Sequence, residues 1–247
     1  MTRALLIAII LFIFKAGGAQ VLIHAHNDYE KSRPLVNALE NKVYSLEADV
    51  ILLDGQLFVA HALQEIDRSK TLESMYIRPL LDLFKKNNGL VSPDTGYMVT
   101  LMVDIKTDSR EALQELVKML EPVRQYFDRS LNRKAVQIVI SGARGKIADW
   151  NSYPRYIYFD GRPQESYDSN AIQRVAFISG NFRDYVTEAD STDCTRLKNI
   201  IQQVHQSGRL VRFWAIPDSE NVWMRLQQAG VDIINTDRLE ACRRYFR

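Results

Sequence analysis

The apolar positions of this chain keep two rhythms. Short unbroken or alternating runs mark strands: VLIHA (21–25), VYSLEADVIL (43–52), YMVTLMVDIK (97–106), AVQIVIS (135–141), RYIYFD (155–160), RVAFISG (174–180), RLVRFWAI (209–216) and VDIIN (231–235). A further extended run, QLFVAH (56–61), follows the turn pair Asp54-Gly55. Between these runs the spacing turns helical. PLVNALEN (34–41) opens with Pro34 at a tolerated first-turn position. Thr71 is placed to cap a helix from Leu72 to about Lys86, stopped by Asn87-Asn88-Gly89. Ser109 is read as the cap of a helix with Leu113, Leu116, Val117 and Leu120 on one face. Leu197, Ile200, Ile201 and Val204 mark another helix ending at Gly208, and one more near 219–229 ends at Gly230 before a short last helix.

Eight main strands in βαβα order, apolar enough to be buried on both faces, predict a parallel sheet. Eight such units in about 230 residues predict an α/β fold of one domain, a single (β/α)8 TIM barrel. An open doubly-wound sheet competes with it, but the first strand–helix junction has no Gly-rich phosphate loop.

Residues 1–20 follow a different pattern. Arg3 precedes the apolar run Ala4–Phe14, and Lys15 and small residues lead to Ala19. This is the form of a secretory signal peptide, too short for a comfortable membrane span. Cleavage is expected after Ala19, which leaves residues 20–247 as the domain and a secreted or periplasmic location. Once Arg3 and Lys15 are set aside, the 32 basic residues fall to 30 against 30 acidic ones. A charge near zero argues against nucleic acid as a partner and against a strongly basic membrane-docking patch. Of the two cysteines, Cys194 opens the helix after the sixth strand and Cys242 lies in the helix after the eighth. With another helix between them around the ring, they are expected to stay unbonded.

In a barrel, chemistry collects at the C-terminal strand ends. Strand one ends in His24, His26, Asn27 and Asp28. Strand two carries Glu47 and Asp49, with His61 ending the extended run beyond it. Strand three ends in Asp104 and Lys106, strand four in Ser141 with Arg144 just after, strand seven in Trp214, and strand eight in Asn235 and Asp237. Residues two apart on a strand face the same way. Three carboxylates converging at a barrel mouth would repel one another, and one divalent cation, Mg²⁺ or Ca²⁺, would relieve this through oxygen ligands. Plainer roles stand beside these: Glu47 with Lys106 as an ion pair, Asp54 as a turn former, His205 as a structural residue, and a lone His26 or His61 as a hydrogen-bonded core histidine.

The segments AHND (25–28), LEAD (46–49), VAH (59–61) and VDIKTDS (103–109) resemble the PI-PLC-like phosphodiesterase superfamily. That group includes glycerophosphodiester phosphodiesterases, phosphatidylinositol-specific phospholipase C and sphingomyelinase D-like enzymes. The resemblance implies that His26 and His61 are the catalytic histidines, that Glu47, Asp49 and Asp104 bind the metal, and that Lys106 steadies the phosphate. Asn235 matches a polar residue lining the site after the last strand. Asn27, Arg144 and Trp214 join Lys106 and Asn235 as expected substrate contacts. The chain departs from the usual glycerophosphodiesterase pattern at Asn27-Asp28, where Arg-Gly is typical, and at Asp104-x-Lys106, which is closer to sphingomyelinase D. The HAHNDY form resembles a branch of secreted bacterial and fungal proteins.

The expected activity is metal-dependent cleavage of a small-molecule or lipid phosphodiester by histidine acid–base catalysis. Membrane contact is expected only through the substrate. Two alternatives remain. The paired histidines suit an amidohydrolase-like metal hydrolase with Asp237 as its last ligand, although no histidine lies between His61 and His205. The barrel could also be an exported binding module without catalysis.

Overall fold

A computed structural model describes residues 21–186 and 195–247. The expected leader at 1–19 and Cys194 lie outside the described residues. Eight parallel strands close a barrel: β1 (Leu22–Ala25), β2 (Ser45–Leu53), β4 (Thr100–Ile105), β5 (Gln137–Gly142), β6 (Ile157–Gly161), β7 (Val175–Asn181), β8 (Val211–Trp214) and β9 (Ile233–Thr236). Closure comes from β1, which pairs with β2 on one side and β9 on the other. The extended run after Asp54-Gly55 is β3 (Gln56–Val59), an antiparallel appendage to β2 outside the ring. Asp54 and Gly55 take φ values of 51° and 73°, the left-handed pair that a two-residue hairpin turn requires.

Around the ring lie α1 (Val36–Glu40), α2 (Arg78–Lys86), α3 (Ser109–Leu120), α4 (Thr195–Gln206), α5 (Glu220–Ala229) and α6 (Leu239–Tyr245). Alternation is incomplete, because β5 and β6 are followed only by short 3₁₀ segments, Ile147–Ser152 and Ala171–Arg174. The connections from β5 to β6 and from β6 to β7 carry Pro154 and Pro163 respectively, outside those segments, and no apolar stripe at helical spacing. The helix expected from Leu72 is present, and Thr71 accepts a hydrogen bond from the Ser74 amide (3.0 Å). Its first part, Glu73–Ile77, is wound as a π-turn ahead of α2. Pro79 explains the change: it has no N–H for the Met75 carbonyl, and its ring would crowd that group. α3 is capped by Asp108, one residue before the expected Ser109; the Asp108 carboxylate accepts from the Arg110 amide (2.9 Å).

The interior follows from alternation along each strand. Outward residues such as Leu101, Val103, Ile138 and Ile140 join the main core beneath the helices. Met102, Val139, Phe177 and Ile233 form a separate apolar cluster. Counting on by two from each member reaches Asp104, Ser141, Ser179 and Asn235. Each inward stripe therefore begins apolar and turns polar toward the C-terminal mouth. Cys242 is a buried free thiol, and burial pushes its pKa up to about 12.

The loop after β1 is held by Asp28, which is fully buried. Its Oδ2 accepts from the Leu35 amide (2.6 Å) and the Tyr76 hydroxyl (2.9 Å). Leu35 sits at φ 61°, a costly conformation for a branched side chain, and the Asp28 bond pins it there. Asp28→Ala would leave two buried donors without acceptors and should cost about 3 kcal/mol of unfolding free energy. Urea denaturation measures this, with Asp28→Asn expected to fall between the two.

Candidate active site at the barrel mouth

The polar ends of the inward stripes meet in two linked networks. The first is acidic. Oxygen atoms of Glu47, Asp49 and Asp104, one from each, lie within 4.8 Å of one another. Strand register explains this: Asp49 pairs with Asp104 across β2 and β4, and Glu47 stands two residues earlier on the same face.

Each carboxylate has its own supports. Nε2–H of His24 donates to Glu47 (2.8 Å), and Ser45 Oγ–H donates to His24 Nδ1 (2.6 Å). That tautomer follows from the neutral state of His24, whose pKa is lowered to about 4 by burial and by the charge of Arg212. Burial alone would raise the Glu47 pKa, but the His24 hydrogen bond and the Arg212 charge hold it well below the ordinary range. Asp49 is 1 % exposed and divides its two oxygens. Oδ2 accepts from Tyr29 Oη (3.0 Å) and His61 Nδ1 (2.7 Å) and pairs with Lys106 Nζ (3.1 Å). Oδ1 is buried without a hydrogen-bond partner. Asp104 contacts Lys106 Nζ at 3.2 Å. Burial, then the charge of Glu47, pushes its pKa up to about 6 against the pull of Lys106.

This donor set fits a divalent cation. It is all oxygen, an oxygen of Asp49 has no other buried partner, and a positive ion would relieve the repulsion that Asp104 registers. Glu47, Asp49 and Asp104 are the residues that would hold it.

The histidines stand beside this cluster. His26 Nδ1–H donates to Asp237 (3.0 Å), and the His26 amide donates to the Thr236 carbonyl (3.1 Å). Burial works to lower the His26 pKa, but the Asp237 hydrogen bond and the charges of Glu47 and Asp237 outweigh it and raise the value. His61, 61 % exposed, is anchored through Nδ1 alone. No Nε2 partner appears for either residue among the described residues.

The second network joins Ser141 and Asn235, both expected at strand ends, to residues that no motif marks. Arg212 on β8 is buried, with Nε donating to Ser179 (2.9 Å) and Nη1 to Asn235 (3.0 Å). It also approaches Glu47 (3.7 Å) and Asp160 (3.4 Å). Asp160, fully buried, accepts from Ser141 and Ser179 and pairs with Arg162 (2.8 Å). Burial opposes ionisation there, but Arg162 and Arg212 keep the Asp160 pKa low. The available signal was a charged residue on the inward parity of an apolar strand, at Asp160 in RYIYFD and Arg212 in RLVRFWAI.

Among the expected substrate contacts, Asn235 lies in this network and Trp214 lies under Arg162, whose guanidinium is 4.8 Å from the ring centre. Asn27 takes the left-handed conformation (φ 46°) ahead of the 3₁₀ turn Asp28–Glu30. Arg144 is committed elsewhere: it donates twice to Glu165 (3.0 and 2.7 Å) and once to the Asp160 carbonyl (2.8 Å).

A model of the AIM6-like phosphodiesterase domain matches residues 14–160, the stretch that carries His26, Glu47, Asp49, His61, Asp104 and Lys106. The chain belongs to this family. An "altered inheritance of mitochondria protein 6 homolog" from Arthroderma benhamiae is 26 % identical over 93 % of this chain and 85 % of its own length, and further fungal proteins of that name also match. These relatives overturn the secreted or periplasmic location expected from the sequence, since they are fungal proteins named for the inheritance of mitochondria; of the expected branch they match the fungal part and lend nothing to the secreted bacterial part. The fold is similar to a glycerophosphodiester phosphodiesterase from Parabacteroides distasonis (TM-score 0.63, 16 % identity, 93 % of this chain and 98 % of that one). It is also similar to a Ca²⁺-dependent phosphatidylinositol-specific phospholipase C from Streptomyces antibioticus (TM-score 0.61, 11 % identity, 93 % and 97 % covered).

Two predictions follow from the acidic cluster. Gly142 has φ +65°, and a Cβ there would come within 2.1 Å of Asp104 Oδ1 and 2.4 Å of the Ile105 carbonyl. Gly142→Ala should therefore displace Asp104, weaken divalent-cation binding at least tenfold and cost about 2 kcal/mol in backbone strain; calorimetric titration and urea unfolding read the two effects. The second concerns pH. Without a cation, folded Asp104 binds its proton more tightly than the ordinary carboxyl at 3.8, so its contribution to stability falls as pH rises from about 4 to 6. A cation must displace that proton, so its affinity should climb between pH 5 and 7 and level off above, with proton release visible in buffers of different ionisation enthalpy.

Proposed function

We propose that this protein hydrolyses a phosphodiester, with Mg²⁺ or Ca²⁺ held by Glu47, Asp49 and Asp104. The observation that carries this reading is the sharing of Asp49. One of its oxygens orients His61 and Lys106, while the other is left without a partner beside two more carboxylates. A proton-transfer group, a phosphate-binding cation and a metal ligand are thereby fixed relative to one another.

When bound, the cation supplies positive charge to the non-bridging phosphate oxygens. Lys106 adds a second charge; burial disfavours its ammonium form, but Asp104 and Asp49 outweigh this and raise its pKa. His26 takes the proton of the attacking hydroxyl, whether water's or the substrate's own, because Asp237 and Glu47 stabilise the imidazolium that results. His61 delivers a proton to the departing alkoxide from Nε2, its ring fixed by Asp49. Each ring has a carboxylate partner at Nδ1, Asp237 for His26 and Asp49 for His61.

The glycerophosphodiester phosphodiesterase likeness favours a glycerophosphodiester as substrate. The amidohydrolase alternative would use His24 as a metal ligand, yet both its ring nitrogens are taken by Ser45 and Glu47 inside the barrel.

The test is turnover of bis(p-nitrophenyl) phosphate and a panel of glycerophosphodiesters and lysophospholipids, with EDTA, Mg²⁺, Ca²⁺ or Zn²⁺. Activity should require Mg²⁺ or Ca²⁺ and fall by about 10²–10⁴-fold in His61→Ala and in Glu47→Ala. A tightly bound cation with no turnover of any diester would favour the binding module instead.

A further inference from the structure

We infer that Arg162 and Trp214 form a head-group subsite that accepts phosphate esters with neutral or anionic head groups and rejects those with cationic head groups, choline esters above all. The inference rests on the phosphodiesterase reading for the kind of ester bound. The charge preference stands on the geometry of the two side chains.

Arg162 follows the end of β6 and Trp214 ends β8, each on the inward parity of its strand at the mouth. The arginine is pinned rather than free. Its Nη1 pairs with Asp160 Oδ2 (2.8 Å) and donates to the carbonyls of Asp160 (3.1 Å) and Gly161 (3.0 Å), and Nη2 donates to Ser141 Oγ (3.3 Å). The side chain is 19 % exposed. A guanidinium has five N–H donors, so Nε–H and part of Nη2 remain for an oxygen of the ligand.

An aromatic ring at the mouth of such a site is a natural receptor for a quaternary ammonium group. Here one face of the Trp214 ring already carries a cation, with the Arg162 guanidinium 4.8 Å from its centre. A choline head group would compete for an occupied ring and meet a fixed like charge. Asp160 is shared between Arg162 and Arg212, and Arg212 in turn faces Glu47, so the guanidinium over the ring keeps its place as the nearest charge to a bound head group. A hydroxylated head group can instead accept from Arg162 and lie along the indole edge.

The experiment compares sn-glycerol 3-phosphate with phosphocholine, which share a phosphate and differ in head-group charge. Binding is titrated by calorimetry in Mg²⁺ buffer with the full chain. The wild type should bind glycerol phosphate at least tenfold more tightly. Arg162→Gln should close the gap to within threefold, and Arg162→Lys, which keeps the charge, should retain it. Equal affinities, tighter phosphocholine, no binding of either probe by the wild type, or a gap that survives Arg162→Gln would overturn the inference. A second measurement needs no variant. Trp150 and Trp223 are fully buried, so collisional quenching reports on Trp214, and iodide should quench more strongly than caesium; the reverse order would count against a cation at the ring. A wild type that discriminates the probes but hydrolyses no diester would overturn the phosphodiesterase reading and leave the subsite standing.

Discussion

Three negative charges drawn into a barrel interior repel one another, and the residues around Glu47, Asp49 and Asp104 contain that repulsion from three sides. Lys106 bridges Asp49 and Asp104 from the mouth. Arg212 approaches Glu47 from the opposite wall. His24 stays neutral and donates a hydrogen bond from below. An unpaired buried carboxylate would protonate and lose its use as a ligand. The supports are graded: Glu47 is held ionised, whereas Asp104, with one cation beside it and two anions near it, holds its proton up to about pH 6. The cluster is thus charged enough to bind a cation and still under electrostatic tension without one.

That grading depends on a second, balanced layer. Arg212 would be costly alone in the barrel, and Asp160 equally so. Together with Ser141, Ser179, Asn235 and Arg162 they satisfy one another, and the network gives Arg212 a fixed position from which to act on Glu47. The wall opposite the acidic residues is therefore a built counterpart to them. It spans β5 to β9, the part of the chain that lies mostly beyond the matched family region.

Much of this was legible in the chain, for a physical reason. Glu47/Asp49 and Asp104/Lys106 are charged pairs with period two at the ends of apolar runs, so alternation puts each pair on one face, and the register of β2 against β4 brings the two pairs together. The barrel followed from strand count and order. What stayed hidden was of three kinds. Arg212 and Asp160 sit within apolar strands, where one charge reads as a local exception until the opposite wall is known. Tyr29 reaches Asp49 only because the loop after β1 folds back, which no spacing rule encodes. Gly142 looks like an ordinary end-of-strand glycine, yet the space its missing side chain would fill belongs to Asp104. Arg144 shows the converse: its position just past a strand end suggests a substrate contact, and only the fold shows Glu165, nearby in space, as its partner.

The loop after β1 shows how the site is kept rigid where charge cannot do so. His26 and Asp237 form a pair whose acid is 51 % exposed, and in that setting an ion pair contributes little to holding a ring in place. Its position must come from the backbone. β1 delivers His24 inward and His26 to the rim, and the His26 amide is tied to the Thr236 carbonyl. Asn27 then turns the chain through a left-handed conformation that asparagine tolerates better than most residues. The turn buries Asp28 against Leu35 and Tyr76 and carries Tyr29 to Asp49. Five consecutive residues from His24 to Asp28 thus alternate between chemistry and anchoring. His26 is left partly exposed at the rim, while His24, Ala25 and Asp28 around it are buried.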